Sequence, residues 1–491
     1  MDDSDTDGDI VTRGRLGATD EATERFLSIF DEWVFDANLA IDRAHVVMLA
    51  EQGIVDGTTA GAVLGALDAV EAAGFDALPE RGDVHVAIEE AVVDRLGEAT
   101  GGVLHTARSR NDKGATYVRM ALREDLLALA GAVADLRRTL LDRAETTADW
   151  LLSGYTHLQN AQPTTLGHHL LAYDGALARD GERLLDAYGR VNRSPLGSCA
   201  VAGTGFDIDR DRTADLLGFD RPVRNSMDGV AARDFATEAV AAASGAMTTV
   251  SRLSTDLFIW SSREFGFVEL ADQHTGSSSI MPQKKNPNVA TAARSKAATV
   301  RGSLAALDSM FAGLPMSLNY DVWEANHHLR DAVGTARTSV RLLADAVESA
   351  TFDRAAMAES AGAGFATATE LADTVVRETD LPFRTAHHVV ARLARDHEPA
   401  EIDAALLDEV AVDVTGRPVG LPEEAVERAL DPRRNVAVRD SLGGPGEVRT
   451  ALTDANERLS ADRGAVADRE EALYEARERL ADAVDALGSE E

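Results

Sequence analysis

One long helical stretch constrains the fold of this 491-residue chain more than any other feature of its sequence. Across residues 115–150 the apolar side chains recur at helical spacing, and the only glycine there is Gly131. A helix of that length is typical of a helical bundle rather than of a small globular domain. No stretch of the chain shows the clear alternation of apolar and polar residues that indicates a strand. The sequence therefore predicts an all-α fold built around long helices.

Further helices are predicted on both sides of this stretch, because apolar residues recur at helical spacing and alanine is abundant. They span residues 35–52, 58–73, 83–96, 166–188, about 235–262, 289–311 and 323–350. Residues 1–20 are polar and acidic and are expected to be frayed, with a helix beginning near Glu21. Residues 446–491 are charged and have heptad-like apolar spacing. That spacing predicts a long amphipathic helix or coiled-coil arm that serves packing.

The charge balance limits the partners that this chain can bind. Its formal net charge is −34, and the acidic residues are spread along the chain. Nucleic acid and anionic membranes are therefore not expected as partners. Only four lysines accompany the many aspartates and glutamates. Such a surface favours adaptation to high salt, where screening weakens self-repulsion, over an ordinary acidic protein.

Cysteine usage and the hydropathy pattern predict a cytoplasmic protein. Cys199 is the only cysteine, so no internal disulfide can form, and its small neighbours predict a buried packing role. No N-terminal segment combines a basic start with an apolar run, so no signal peptide is predicted. No run of about 18 apolar residues without charge indicates a membrane span.

The loop GSSSIMPQKKNPN, residues 276–288, is the strongest candidate for chemistry. Glycine and three serines predict a mobile polar loop, and a helix is expected to begin near Asn288. Hydroxyls, two lysines and a helix N-terminus thus converge, and such a terminus favours bound anions. The pattern predicts a site for a small carboxylate or phosphate, with a serine that acts on it. The alternative is a Ser/Gly linker before a basic helix start.

Two further polar segments interrupt the helical pattern. HTARSRND, residues 105–112, is either a solvated loop or a carboxylate site built from its arginines, Ser109 and Asn111. SGYTHLQNAQPTT, residues 153–165, contains His157 in a helix break. A lone histidine is more often structural than catalytic, but functional residues concentrate in such breaks.

The three segments together resemble the three ordered signatures of the fumarase/aspartase lyase superfamily. Within it, HTARSRND and QKKN are similar to the argininosuccinate lyase branch. The resemblance covers about residues 26–445 and implies an all-α, three-domain fold with a long central helical bundle. The implied boundaries are 1–112 for an N-terminal helical domain, 113–350 for the bundle, 351–445 for a small C-terminal domain and 446–491 for a charged helical tail. It also implies a homotetramer in which three subunits build each active site.

The resemblance implies a C–N lyase of arginine biosynthesis that splits argininosuccinate into arginine and fumarate. By the family motifs Ser278 is the base, Lys284 stabilises the developing aci-carboxylate, and His157 is the proton partner of the leaving nitrogen. Loop amides and cations must then lower the pKa of Ser278. The implied substrate-binding residues are Asn111, Arg110, Thr156, His85, Arg233, Asn286 and, by a weaker match in a shortened segment, Ser28. No metal or cofactor is expected, because Cys and His lack ligand spacing and no Rossmann motif occurs.

Several positions depart from the family pattern. Thr291 stands where the family has a glutamate that pairs with the active histidine, and threonine cannot replace a carboxylate there. Leu318, Trp323 and Asn326 replace a tyrosine, a glutamine and a lysine that serve the amino-acid end of the substrate. Three readings stay open: an argininosuccinate lyase with compensating contacts, a lyase for another succinyl or fumaryl amine, and a non-catalytic subunit on the lyase fold.

Overall fold

The computed structural model of the chain is dominated by α-helices, as the sequence predicts. It describes residues 22, 23, 26, 28, 30–79 and 82–488. In chain order the helices are α1 Phe35–Glu51, α2 Gly57–Ala73, α3 Val84–Leu96, α4 Glu98–Gly101, α5 Arg110–Thr146, α6 Leu166–Val191, α7 Arg210–Leu216, α8 Ser226–Ala231, α9 Asp234–Trp260, α10 Asn288–Phe311, α11 Asp321–Glu348, α12 Arg354–Gly362, α13 Ala368–Glu378, α14 Phe383–Asp396, α15 Ala404–Thr415, α16 Glu423–Leu430, α17 Pro432–Ala437 and α18 Pro445–Gly488.

Short strands connect these helices at three places where the sequence shows no clear alternating pattern. Antiparallel ladders join β1 to β2, β3 to β6 and β4 to β5. Their bounds are β1 Leu151–Thr156, β2 Gln159–Thr165, β3 Val268–Glu269, β4 Gly276–Ser277, β5 Lys285–Asn286 and β6 Thr351–Phe352. Only β1 and β2 form a substantial hairpin. The strands serve to position loops at the ends of helices.

Helix α5 is the predicted long helix, and it begins earlier than its apolar pattern indicates. The side chain of Ser109 accepts the backbone N–H of Asn111, and the carboxylate of Asp112 accepts the N–H of Ser109. This capping box satisfies N–H groups that a helix start otherwise leaves unpaired. Arg110 and Asn111 therefore stand in the first helical turn and not in a loop. With 37 residues, α5 is about 55 Å long.

The central bundle packs around α5. Helices α6 and α11 lie against α5, while α9 packs on α6 and α10, and α10 packs on α11. Small alanines let the helices approach closely, and leucines and valines fill the space between them. Fully buried members of this core are Leu122, Leu129, Leu177, Leu184, Ala243, Val250, Val300, Leu329, Ala336 and Leu343.

A second, separate core lies between residues 365 and 429. It is built by α13 to α16 and contains Leu371, Val375, Val389, Leu393, Leu407 and Val426. Amphipathic patterning explains it, because each of these short helices buries one apolar face. The predicted division into three domains and a helical tail stays a prediction.

The C-terminal helix α18 packs along the bundle, in agreement with the predicted long amphipathic helix that serves packing. Its buried apolar residues follow a heptad and face α5, α6 and α2. They are Val448, Leu452, Ala455, Leu459, Val466, Leu473, Ala476 and Leu480. The heptad spacing thus builds a seam against the same chain.

The predicted helix ends agree with the observed ones to within a few residues, apart from the start of α5. Asp56 and Asp83 cap α2 and α3, and Gly53 takes a left-handed φ of 66° just beyond α1. The predicted frayed segment 1–20 and most of the helix near Glu21 lie outside the described residues. Among the described helices, none is long and apolar enough to span a membrane.

Candidate active site

The Ser/Gly loop is closed at its base by a ladder. Gly276 and Ser277 pair with Asn286 and Lys285, so the loop is a small hairpin. Asn286 is half-buried in this ladder. The oxygen Oγ of Ser278 accepts the backbone N–H groups of Ile280 at 3.3 Å and Met281 at 3.1 Å. Two amide dipoles therefore point at this half-buried oxygen, an arrangement that stabilises negative charge on it.

The two loop lysines have different surroundings. Lys285 Nζ lies 2.8 Å from Asp272 and 2.9 Å from Glu269, and these hydrogen bonds raise the pKa of Lys285. Lys284 is exposed, and no described carboxylate lies within ion-pair distance of it. Its ammonium is therefore the loop cation that stays available to an anionic ligand.

Helix α10 begins at Asn288, as predicted. The loop passes so close to this helix start that a Cβ on Gly276 would lie 2.2 Å from Asn288 Nδ2, so a larger residue there requires the Asn288 side chain to move. Thr291 lies in the first turn of α10, where its hydroxyl donates to the carbonyls of Pro287 at 3.3 Å and Asn288 at 3.0 Å. Thr291 thus bonds its own helix.

His157 stands at the tip of the β1–β2 hairpin. His157 and Leu158 both have left-handed backbones, with φ of 54° and 58°, which is the conformation of a two-residue type I′ turn. Side chains with a Cβ adopt it at an energetic cost, and such strain is concentrated at functional sites. Thr156, His157 and Leu158 are all exposed. The tip therefore presents the imidazole to solvent.

A cavity of about 830 Å³ opens beside the hairpin and reaches from His157 to Trp260 and Arg252. On its wall Asp256 accepts a 2.6 Å hydrogen bond from the hydroxyl of Tyr173 and lies 3.0 Å from His169 Nε2. Burial, together with the charge of Asp256, raises the pKa of Tyr173. Asp256 is thereby committed to two partners within its own chain.

A buried ion cluster that no sequence pattern indicated holds the HTARSRND segment in place. Asp42 lies 2.6 Å from Arg108 and 2.7 Å from Lys113, and all three side chains are completely buried. Burial alone would raise the pKa of Asp42, but the two cations hold it below its usual value. Burial lowers the pKa of Lys113 to about 8. The signal for this cluster was that one of only four lysines lies next to the motif.

The carboxylate of Asp112 ties the start of α5 to residues 197–199. Its Oδ2 accepts the N–H groups of Gly197 and Cys199, both at 2.8 Å. Cys199 is half-buried rather than buried, and its Sγ donates to Ala107 O at 3.2 Å. Burial raises the pKa of its thiol to about 11. Asn111 donates to Ala200 O at 3.3 Å, which holds its amide at the same junction.

His85 lies under this region with Glu89 and His105. Burial lowers the pKa of His85 far below its usual value, so its imidazole is neutral. Glu89 Oε2 is 3.0 Å from His105 Nδ1 and 3.9 Å from His85 Nε2. The ligand atoms of this trio lie within 4.8 Å of one another, a grouping that sequence spacing did not reveal. Arg108 and Lys113 both act on His85 as positive charges, which opposes a divalent cation there.

Arg233 is buried just before α9. Its Nη1 donates to the carbonyls of Val230 at 3.0 Å and Ala232 at 2.7 Å, and burial lowers its pKa to about 10. Its guanidinium thus bonds its own segment here. Ser28 is half-buried in the described part of the N-terminal segment. The substrate-binding roles of Arg233 and Ser28 stay predictions.

Two of the positions that depart from the family pattern stand on α11. Trp323 and Asn326 are buried, while Leu318 is half-buried in the preceding loop. The guanidinium carbon of Arg110 lies 4.4 Å from the centroid of the Trp323 ring. Arg110 Nη1 also lies 3.4 Å from Asp83 Oδ2. The structure thus joins Arg110, Asp83 and Trp323, a contact that no sequence motif indicated.

The predicted catalytic and binding residues fall at two ends of the bundle. Arg110 and Asn111 start α5, whereas the hairpin that carries His157 follows the end of α5 at Thr146. Because α5 is about 55 Å long, these residues cannot contact one small substrate within a single chain.

Two family models match this chain. A model described as lyase matches residues 30–302, and a model described as argininosuccinate lyase C-terminal matches residues 365–437. Argininosuccinate lyase of Natronomonas pharaonis is 48% identical over 99% of both chains. That of Methanoculleus marisnigri is 48% identical over 96% of this chain and 98% of its own length.

Solved structures have the same fold. EDDS lyase in complex with formate superposes with a TM-score of 0.86 at 32% identity, covering 93% of this chain and 92% of its own. Class II fumarase from Schistosoma mansoni superposes with a TM-score of 0.69, covering 83% of this chain and 91% of its own. At 17% identity, the fumarase supports the fold alone.

Proposed function

This chain belongs to the argininosuccinate lyase family of the fumarase/aspartase superfamily, and on that premise we propose that it cleaves argininosuccinate into arginine and fumarate. The observation that carries the proposal is the 48% identity to an argininosuccinate lyase over 99% of both chains. The reaction is a β-elimination that breaks a C–N bond. It needs a base, a stabiliser for the developing carbanion and an acid for the leaving nitrogen.

Ser278 is the proposed base. The proton to be removed stands on a carbon beside a carboxylate and is weakly acidic, so the base must be strong. A serine alkoxide meets that demand only if its charge is stabilised. The two backbone N–H groups that point at Ser278 Oγ supply such stabilisation. Replacing Ser278 with alanine should lower kcat by at least a hundredfold while the melting temperature stays near that of the parent.

Lys284 is proposed to stabilise the aci-carboxylate, and His157 to protonate the leaving nitrogen. Lys284 is exposed, whereas the neighbouring Lys285 is engaged by Asp272 and Glu269. The difference supports Lys284 as the residue that meets the substrate. Lys284→Met should therefore reduce kcat far more than Lys285→Met does, a comparison in which the second variant is the matched control.

The proposed substrate-binding groups are Arg110 and Asn111 at one end of the bundle, and Thr156 beside His157 at the other. A guanidinium and an amide at a helix N-terminus are suited to a carboxylate. Buried, neutral His85 lies beneath the first group. Asn286, Arg233 and Ser28 complete the proposed set.

A homotetramer with shared active sites is the proposed assembly. The length of α5 supports it, because Arg110 and His157 act on one substrate only if they come from different chains. A groove of about 610 Å³ between α10 and α11 leaves apolar side chains such as Val289 and Leu342 uncovered. Exposed apolar surface on bundle helices supports contact with further copies.

Subunit complementation tests this assembly. Asn111→Ala and His157→Ala chains, each inactive alone, are coexpressed with different tags and purified through both. Random mixing should restore roughly a quarter of the sites. About half of the sites receive an intact Asn111, and about half of those also receive an intact His157 from another chain. Mixed oligomers without activity would contradict shared sites.

A second candidate within the same reaction class is a lyase for a different succinyl amine. Trp323 and Asn326 favour it, because both are buried where the family pattern has a glutamine and a lysine. The deciding measurement is fumarate formation, followed by ultraviolet absorbance in high salt, from argininosuccinate, adenylosuccinate and aspartate. Turnover of argininosuccinate well above the others supports the first proposal, and the reverse order supports the second.

The proposed location is the cytoplasm and the proposed milieu is concentrated salt. The net charge of −34 and the four lysines support the second point.

A further inference from the structure

Arg110 is a carboxylate-binding candidate that contacts Trp323, a residue that departs from the family pattern. It occupies the first residue of α5, and its side chain is 40% exposed. A guanidinium binds a carboxylate with two parallel hydrogen bonds only when its plane is correctly oriented. The contacts that fix the plane of the Arg110 guanidinium therefore decide how well Arg110 binds a carboxylate.

Asp83 does not fix it alone. Its Oδ1 accepts the backbone N–H of Val86 and caps α3. Its Oδ2 lies 3.4 Å from Arg110 Nη1 but has no hydrogen-bond partner in the described ranges. The contact is therefore an attraction between charges, which sets distance better than orientation.

The ring of Trp323 supplies the missing constraint. It lies under the guanidinium, with Arg110 Cζ 4.4 Å from the ring centroid. Arginine stacks on aromatic faces, and the attraction grows where water is excluded. Trp323 is only 8% exposed, so the indole is shielded from water although the guanidinium on it stays partly open to solvent.

Trp323 is itself held in place. The ring of Tyr320 meets it edge-on, with centroids 5.9 Å apart and an interplanar angle of 90°. Gly114, one helical turn after Arg110, also lies close to the indole. A Cβ on Gly114 would be 3.6 Å from Trp323 Nε1, so a side chain branching further would enter the space of the indole. The indole thus packs along the face of α5 that carries Arg110 and Gly114.

We propose that Trp323 is a positioning residue whose ring face holds the Arg110 guanidinium in the plane in which Arg110 binds a carboxylate of the succinyl half of the substrate. The inference rests on the proposed function and deepens it. A glutamine, which the family pattern has here, offers no ring face. This chain therefore orients Arg110 through an aromatic stack, and Trp323 acts on the carboxylate end and not on the amine end.

Fumarate is the probe that separates a role of Trp323 at the carboxylate end from one at the amine end, because it carries the carboxylates but no amine half. Its dissociation constant is measured by titration calorimetry on the assembled parent and on Trp323→Gln, Trp323→Leu and Trp323→Phe. We expect binding to weaken about tenfold in the Gln and Leu variants and less than threefold in the Phe variant, which keeps a ring face. KM for the cleaved substrate should rise in parallel, with a smaller change in kcat. The Leu variant preserves apolar volume and answers the question if the Gln variant fails to assemble.

Two controls separate positioning from damage to the fold. Trp150 is a second tryptophan under an arginine, with Arg354 Cζ 5.4 Å from its ring centroid, and Trp150→Gln should leave fumarate binding unchanged. In an Arg110→Met background, Trp323→Gln should add less than a twofold effect, because its target is gone.

Retention of parental affinity in Trp323→Gln and Trp323→Leu would overturn the inference. So would a full tenfold loss that persists in the Arg110→Met background. A parent that does not bind fumarate would sink this inference and the proposed function together. The expected fumarate pattern without any cleavage of argininosuccinate would leave the positioning role standing and refute the proposed function alone.

Discussion

His45 illustrates how one buried side chain couples the HTARSRND segment to pH. Its Nε2 lies 2.7 Å from the carbonyl oxygen of Thr106, and the imidazole is almost fully buried. Burial, with a smaller effect of the nearby Arg108, lowers the pKa of His45 to about 3. The ring therefore stays neutral in the folded protein at any moderate pH and fixes the backbone just before α5.

The sign of the resulting pH dependence follows from linkage. Below pH 6.5 the unfolded imidazole takes a proton while the folded one does not, so stability falls as pH falls towards 3. Between pH 7 and pH 5 this histidine should cost about 2 kcal/mol. We expect the His45→Gln variant to lose about 2 kcal/mol less stability than the parent between pH 7 and pH 5, because glutamine does not titrate. Urea unfolding at both pH values measures it, and the exposed His388→Gln is the control that should follow the parent.

The sequence identified the residues of the candidate site better than it identified their neighbours. Ser278, His157 and Arg110 lie in short motifs whose chemistry is local. Asp42 and Trp323, by contrast, meet the HTARSRND segment from distant parts of the chain, and no local pattern predicts such a contact. The one signal available in the sequence was compositional. Lysine is rare in this chain, and Lys113 directly follows the HTARSRND segment.

Among the elements, the long helices were predictable and the hairpin was not. Apolar spacing, aspartate caps and glycines mark the helix ends. The strands β1 and β2 do not alternate cleanly, and Pro163 inside β2 argues against a strand. The turn has His157 and Leu158 instead of the Asn-Gly pair that signals a type I′ hairpin. The hairpin therefore escaped the sequence rules because its turn places two residues with a Cβ in left-handed backbone conformations.

Helix α18 is joined to the bundle by a buried ion pair as well as by its heptad. Arg137 is almost fully buried, lies 2.8 Å from Asp174 and also pairs with Asp462 of α18. Asp462→Ala should lower the free energy of unfolding by about 1–3 kcal/mol, because Arg137 loses one of two buried partners. Urea unfolding tests this. Asp482→Ala, at an exposed position of the same helix, should change it by less than about 0.5 kcal/mol.

At the scale of the molecule, charge governs stability. A net charge of −34 on one chain makes the compact state repel itself when screening is weak. The melting temperature should therefore rise steeply between about 0.05 M and 1 M KCl, over which the screening length falls from more than 10 Å to about 3 Å. Sucrose, which does not screen charge, should give a much smaller rise. Equal effects of salt and sucrose would count against this account.

The positions of the four lysines also determine where a lysine-specific protease can cut the folded chain. Lys113 is fully buried and Lys296 lies within α10, whereas Lys284 and Lys285 are exposed on the Ser278 loop. An endoprotease that cuts only after lysine therefore has essentially one open target in the described part of the native protein. A cut there separates the chain into two large fragments that the bundle still holds together. The Ser278 loop is thus the preferred cleavage site for such an enzyme, and the rate of cutting there measures how far a bound ligand protects the loop.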